Sequence, residues 1–173
     1  FLWPARLLSA ILFLPILFAA GCRREGEPSA QPVILQRIAV PQAGQYYHSA
    51  YPGGVTGAED DITAADVDAY ESAVGHRVAW VYFSHNWYNG RAFPVVTAEW
   101  IRSRGSVPFI RLMLRSSCDQ ETAEPLFTLE TIVSGAWDAD LRAWGEAARA
   151  FGTALIVEWG TEMNGGWFSW NGV

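Results

Sequence analysis

Residues 138–159, DADLRAWGEAARAFGTALIVEW, contain a complete helix, its stop signal and the strand that follows. Leu141, Trp144, Ala148 and Phe151 recur on one helical face; Asp138 stands where a cap is needed and Gly152 where the helix must end. ALIVEW is then apolar on both faces, as strands buried in parallel sheets are. The alternation continues toward the N-terminus. Thr63 to Val74 reads as a helix, with Thr63 as cap, Asp66 three residues later and Gly75 as stop. RVAWVYFSH (77–85) and VPFIRLML (107–114) read as strands, with a short helix over Thr97 to Arg104 between them. QYYHSAY (45–51) reads as a first strand, closed by Pro52-Gly53-Gly54. Such alternation predicts an α/β fold with a parallel sheet covered by helices. An eight-unit barrel takes about 250 residues, so the spacing suits either half a barrel or a smaller open sheet. A nucleotide-binding open sheet would carry a glycine-rich phosphate loop after its first strand, and Pro52-Gly53-Gly54-Val55 is not one.

Composition narrows the classes further. Half of the 173 residues are hydrophobic and only 17% are charged, which excludes a disordered chain. The net charge is −6 and all 12 cationic side chains are Arg. No basic field is available to neutralise phosphates, so no nucleic-acid partner is expected. Nine Trp are many for this length; indole rings fill cores, and they also stack on flat apolar faces such as those of sugars. No Cys/His cluster has zinc spacing, and His48, His76 and His85 are far apart in sequence. Neither a metal nor a cofactor is expected.

The segment 1–21 is almost wholly apolar, with Arg6 its only charge, and ends in Ala19-Ala20-Gly21 before Cys22. It reads as a signal peptide. With the Cys directly after the small residues, it resembles a bacterial lipoprotein signal, which implies lipidation of Cys22 and a membrane-anchored protein of the cell envelope; ordinary secretion and a transmembrane anchor are the alternatives. Residues 22–40 include RREGEPSAQP and read as a tether, leaving 41–173 as the folded part. With Cys22 lipidated, Cys118 has no disulfide partner in this sequence.

Residues 157–172, VEWGTEMNGGWFSWNG, hold the chemistry. A strand runs into the carboxylate Glu162, followed by Asn164, two glycines and the aromatics Trp167, Phe168 and Trp170. A carboxyl beside indole rings is partly desolvated, which predicts a raised pKa and general-acid use. The same pattern also suits a Glu that caps a helix among packed aromatics. Two-residue alternation predicts Glu158, Gly160 and Glu162 on one side of the strand, with Arg111, or else Arg115, as the partner of Glu158. His85 and Trp87 at one strand end, and His48 near another, are further candidates for sugar contact.

Glu162-Met163-Asn164-Gly165-Gly166-Trp167-Phe168 resembles the run at the end of the fourth barrel strand in glycoside hydrolase family 26, best known for β-mannanases. Two positions depart from that family: Thr161 stands where it has His, and Glu158 where the mannanases have Arg. The resemblance implies the first half of a (β/α)8 barrel, with the C-terminal half missing from this chain. It further implies a retaining glycoside hydrolase acting on a β-linked polysaccharide such as β-mannan. Glu162 would be its acid/base, Trp167 an active-site aromatic, and the nucleophile would lie beyond Val173. Retaining hydrolysis needs two carboxylates about 5–5.5 Å apart. The alternative is a carbohydrate-binding lipoprotein without catalysis.

Overall fold

A computed structural model describes residues 37–119 and 122–171. The segment expected to be a signal peptide, 1–21, together with Cys22 and most of the expected tether, lies outside the described residues. The described chain runs as α1 (Ala64–Val74), β1 (Trp80–Asn86), α2 (Val95–Ser103), β2 (Val107–Met113), α3 (Leu129–Val133), α4 (Asp138–Phe151) and β3 (Ile156–Trp159). The strands form one parallel sheet in the order β1-β2-β3. Trp80 pairs with Val107, and the register then places Ser84 beside Arg111 and Arg111 beside Glu158.

Local chemistry accounts for the helices. α1 opens on a capping box: the Asp66 N–H donates to Thr63 Oγ1 at 3.3 Å, and the Thr63 N–H donates to Asp66 Oδ2 at 2.8 Å. It stops at Gly75, whose φ of 69° is the left-handed conformation glycine adopts without strain. α4 buries Trp144 and Phe151, with Leu141 and Ala148 packed beside them, which is the face expected from the sequence. Its first residue is Asp138; the cap position falls on Trp137 and has no side-chain hydrogen bond, so Asp138 acts through its charge in the first turn instead.

Alternation along the strands gives the sheet two different faces. Val81 and Phe83 of β1 and Ile110 and Leu112 of β2 form one face. They share a core with Val67 of α1, Ala98 and Ile101 of α2, and Trp144 and Phe151 of α4. Tyr82, Ser84, Phe109, Arg111 and Glu158 lie on the other face, and Tyr82 packs edge-on against Phe109. The apolar face thus takes the helices, and the face that carries Arg111 is left for loops.

The half-barrel expectation is not met. The described residues hold three parallel strands in an open sheet, and no half of a (β/α)8 barrel is formed. The expected first strand, 45–51, is irregular. It tracks β1 through the Ala79 N–H to His48 carbonyl bond at 2.7 Å and the Ser49 hydroxyl on the Trp80 carbonyl at 2.6 Å. Further on, the Ser84 N–H reaches the Glu59 carbonyl at 2.6 Å. Gln45, Tyr46 and Tyr47 are exposed, so the segment lacks the buried alternating side chains that hold a strand in a ladder. It still satisfies backbone groups on that edge of β1, covering it without adding a strand.

Ile110 is fully buried in the central strand. Ile110→Ala is expected to cost about 2–5 kcal/mol, whereas Val96→Ala, at a residue 79% exposed on α2, stays within about 0.5 kcal/mol. Urea unfolding of the two variants measures the contrast.

Candidate functional site

All three strands end on the same side, at Asn86, Met113 and Trp159. In open parallel sheets this C-terminal edge is where ligands bind. At its centre is Arg111, only 6% exposed although it carries a full charge. A buried guanidinium needs carboxylate partners. Glu158, its neighbour in register, is not one of them. Arg111 Nη1 donates to Glu59 Oε2 at 2.5 Å, and Nη2 donates to Glu162 Oε1 at 2.7 Å. The expected Arg111–Glu158 pair is therefore replaced by a bridge between two loop acids. Strand side chains lean along the strand, so the long Arg111 reaches loops past the strand ends rather than the residue beside it. Glu162 does reach the Arg111 side of the sheet, but from a turn and not as part of the strand. β3 stops at Trp159, and Gly160, with φ of 71°, turns the chain away.

Glu59 (φ 58°) and Glu162 (φ 53°) are the two non-glycine residues with positive φ among the described residues. Such a conformation costs on the order of 1–3 kcal/mol and persists where surrounding contacts impose it. Here both strained residues are the acids that grip Arg111. Glu162 is further fixed by the Trp167 indole N–H, which donates to Oε2 at 2.7 Å. Burial pushes the Glu162 carboxyl up. The hydrogen bonds from Arg111 and Trp167, together with the Arg111 charge, outweigh that and hold it below its ordinary value. This corrects the expected raised pKa: the indoles bring a donor as well as an apolar surface.

The floor beside the acids is a small apolar cluster of Met113, Phe168 and Trp170. Phe168 and Trp170 stack with centroids 4.6 Å apart, and the Trp170 N–H donates to the Thr161 carbonyl at 2.7 Å. The Arg111 and Arg115 guanidinium carbons sit 5.9 and 5.4 Å from the Phe168 centroid. A cavity of about 120 Å³ lies among Glu59, Ser84, Asn86, Arg111, Glu162 and Phe168. A second, of about 420 Å³, shares Arg115 and Phe168 with it and opens past Trp167 toward Thr128. Glu124 on its wall is already committed. Its carboxylate accepts the Ser116, Leu126 and Phe127 N–H groups at 2.7, 2.8 and 3.0 Å, and so braces the loop after β2.

Of the residues singled out in the sequence, Glu162 and Trp167 come together here. Asn164 is exposed in the turns after Glu162. Trp87 is buried against Phe127, with ring centroids 5.3 Å apart, and is core rather than platform. His48 lies near the start of β1, at the opposite end of the sheet, where its Nε2 and the Tyr70 hydroxyl are 3.0 Å apart. His85 is on the helix-covered face, and its Nδ1 accepts the Trp144 indole N–H at 3.2 Å. Glu59 is the site residue that sequence reasoning misses. Its neighbours Asp60 and Asp61 resemble ordinary loop acids, and only the register of Arg111 against the strand ends would draw it in.

Among the described residues no cluster of three His, Cys, Asp or Glu side chains could hold a metal ion. Cys118 is an exposed thiol. None of the described helices is long and apolar enough to cross a membrane. Comparisons with protein families, with curated proteins and with solved structures find no match for this chain.

Burial lowers the His85 pKa from 6.5 to about 4, against opposing backbone hydrogen bonds at Gly90 and Ala92. Below pH 6.5 the unfolded chain takes up a proton that the folded protein refuses until about pH 4. Wild-type stability is therefore expected to fall, relative to His85→Gln, as pH drops through that window. Urea midpoints of both proteins at pH 7.5, 5.5 and 4 measure it.

Proposed function

We propose that the protein acts on a β-linked polysaccharide such as β-mannan as a retaining glycoside hydrolase, with Glu162 as the carboxyl that gives and takes the proton. The observation that carries this reading is how Glu162 is held. It stands just past a parallel strand, gripped through both oxygens by Arg111 and Trp167. Two-point support fixes a reacting group in one orientation, which is where much of catalytic positioning comes from. The Trp167 ring, 49% exposed, offers an apolar face next to the carboxyl, suited to a pyranose ring.

A general acid must carry its proton when it meets the glycosidic oxygen. Glu162 is ionised at rest, but its carboxyl is still half-exposed. A sugar seated on Trp167 displaces the remaining water, and the added burial pushes the carboxyl up toward protonation. Once the proton has passed to the leaving oxygen, Arg111 and the Trp167 N–H stabilise the carboxylate left behind. That carboxylate can then activate the water that completes hydrolysis. The attacking carboxylate of this mechanism is placed, as the family resemblance implies, outside the described residues. The small-residue run before Cys22 supports a lipid-anchored or secreted protein of the cell envelope. The ionised resting state of Glu162 favours a second reading, a carbohydrate-binding lipoprotein in which Arg111 permanently neutralises the acid.

Glu162→Gln in the full-length protein separates the two. A hydrolase is expected to lose about 10²–10⁴-fold in kcat on β-mannan while its retention in a mannan affinity gel persists. Wild-type retention without turnover would select the binding protein. Wild type that neither binds nor cleaves β-linked glycans would overturn both.

A further inference from the structure

We infer that Glu59 is a positioning residue for Glu162: by holding one arm of the Arg111 fork, it limits the positive charge that Glu162 receives and so sets when Glu162 can take up a proton. The inference rests on the proposed role of Glu162 in proton transfer. It comes from three observations. Arg111 is buried and divides its two terminal nitrogens between the two acids. Glu59 is the other described non-glycine residue in the left-handed conformation, so its backbone is bent to deliver this carboxylate. Its Oε2 is also reached by the Ser84 hydroxyl at 3.3 Å and the Tyr82 hydroxyl at 3.4 Å, which hold it in place from β1.

The charges around the pair can be counted. β2 brings Arg111, and Arg115 follows it on the same Phe168 ring. β1 contributes Tyr82, a neutral donor whose ionisation is opposed first by burial. β3 contributes Glu158, beside Arg111 in register. The segment before α1 contributes Glu59. A guanidinium that faced Glu162 alone would form a closed one-to-one pair and hold the acid ionised. Shared with Glu59, the same charge is spread over two carboxylates. The negative Glu59 across the fork also opposes a second negative charge on Glu162. Both effects act in the same direction, toward a Glu162 held less firmly in its ionised form than Arg111 alone would hold it.

The test uses the full-length protein with Glu59→Gln and Glu59→Asp. Glu162 is followed by ¹³C-carboxyl NMR titration, assigned by its absence in Glu162→Gln, and kcat/KM on β-mannan is followed against pH. With Glu59→Gln, the Glu162 midpoint and the alkaline limb of the rate profile are both expected to move down by about one pH unit. Glu59→Asp keeps the charge but is one methylene shorter and releases its arm of Arg111 to Glu162, so both should still move down, by less; it carries the test alone if Glu59→Gln does not fold. A Glu162 midpoint that stays put or rises in these variants would overturn the inference even if the protein cleaves mannan. A midpoint that falls in a protein with no turnover would support the coupling and count against the hydrolase reading instead.

Discussion

A guanidinium buried in the middle strand of a three-stranded sheet organises the rest of the structure. Arg111 cannot be left unpaired away from water, and its register neighbours, Ser84 and Glu158, do not provide its partners. It therefore draws in the chain before α1 through Glu59 and the chain after β3 through Glu162. The two acids lie 52 residues before it and 51 residues after it in the sequence. One side chain thus closes two long loops, whose entropic cost grows only slowly with their length. The aromatic floor, the turn at Gly160 and the left-handed backbone at both acids follow from that tie. Replacing a buried ion network by apolar residues is often neutral for stability, so the network is better explained by what it positions than by what it stabilises.

The division of labour between the sheet faces follows from the same residue. The helix-covered face is apolar apart from His85 and supplies most of the core. The other face keeps its charged and aromatic side chains at the strand ends, where loops can reach them. His85 and Arg111 show the contrast. They lie on adjacent strands near the same level, but alternation puts one under Trp144 and the other among carboxylates. The first is held neutral by burial; the second stays charged because partners were brought to it.

The sequence is most legible where the signal is local. The capping box at Thr63, the glycine stops and the apolar face of α4 all rest on spacings within a few residues, and the three strands of the sheet fall within about three residues of their expected bounds. It is least legible where the outcome depends on three-dimensional register. QYYHSAY has the aromatic content of a strand, but it lacks enough apolar alternation to hold a place in the ladder. Sequence pairs Arg111 with the acid nearest in register, because it shows which residues are adjacent across strands but not how far a long side chain leans. Glu59 gives no signal, since its role depends on a backbone conformation that no residue type announces. α3 gives none either: of its five residues, Leu129–Val133, none is fully buried, Ile132 packs partly against the core, and the Thr128 cap holds its start.

Gly165 carries a quieter consequence. A Cβ placed there would fall 2.3 Å from the Trp167 ring. Any side chain at this position would push the indole away from Glu162, so the glycine is the seat on which the ring rests. Positions 165 and 167 are thus not free to drift independently. A side chain at 165 and an indole seated on Glu162 therefore exclude each other: bulk at 165 is accommodated when the half-exposed ring swings out, and the carboxylate then loses its second donor.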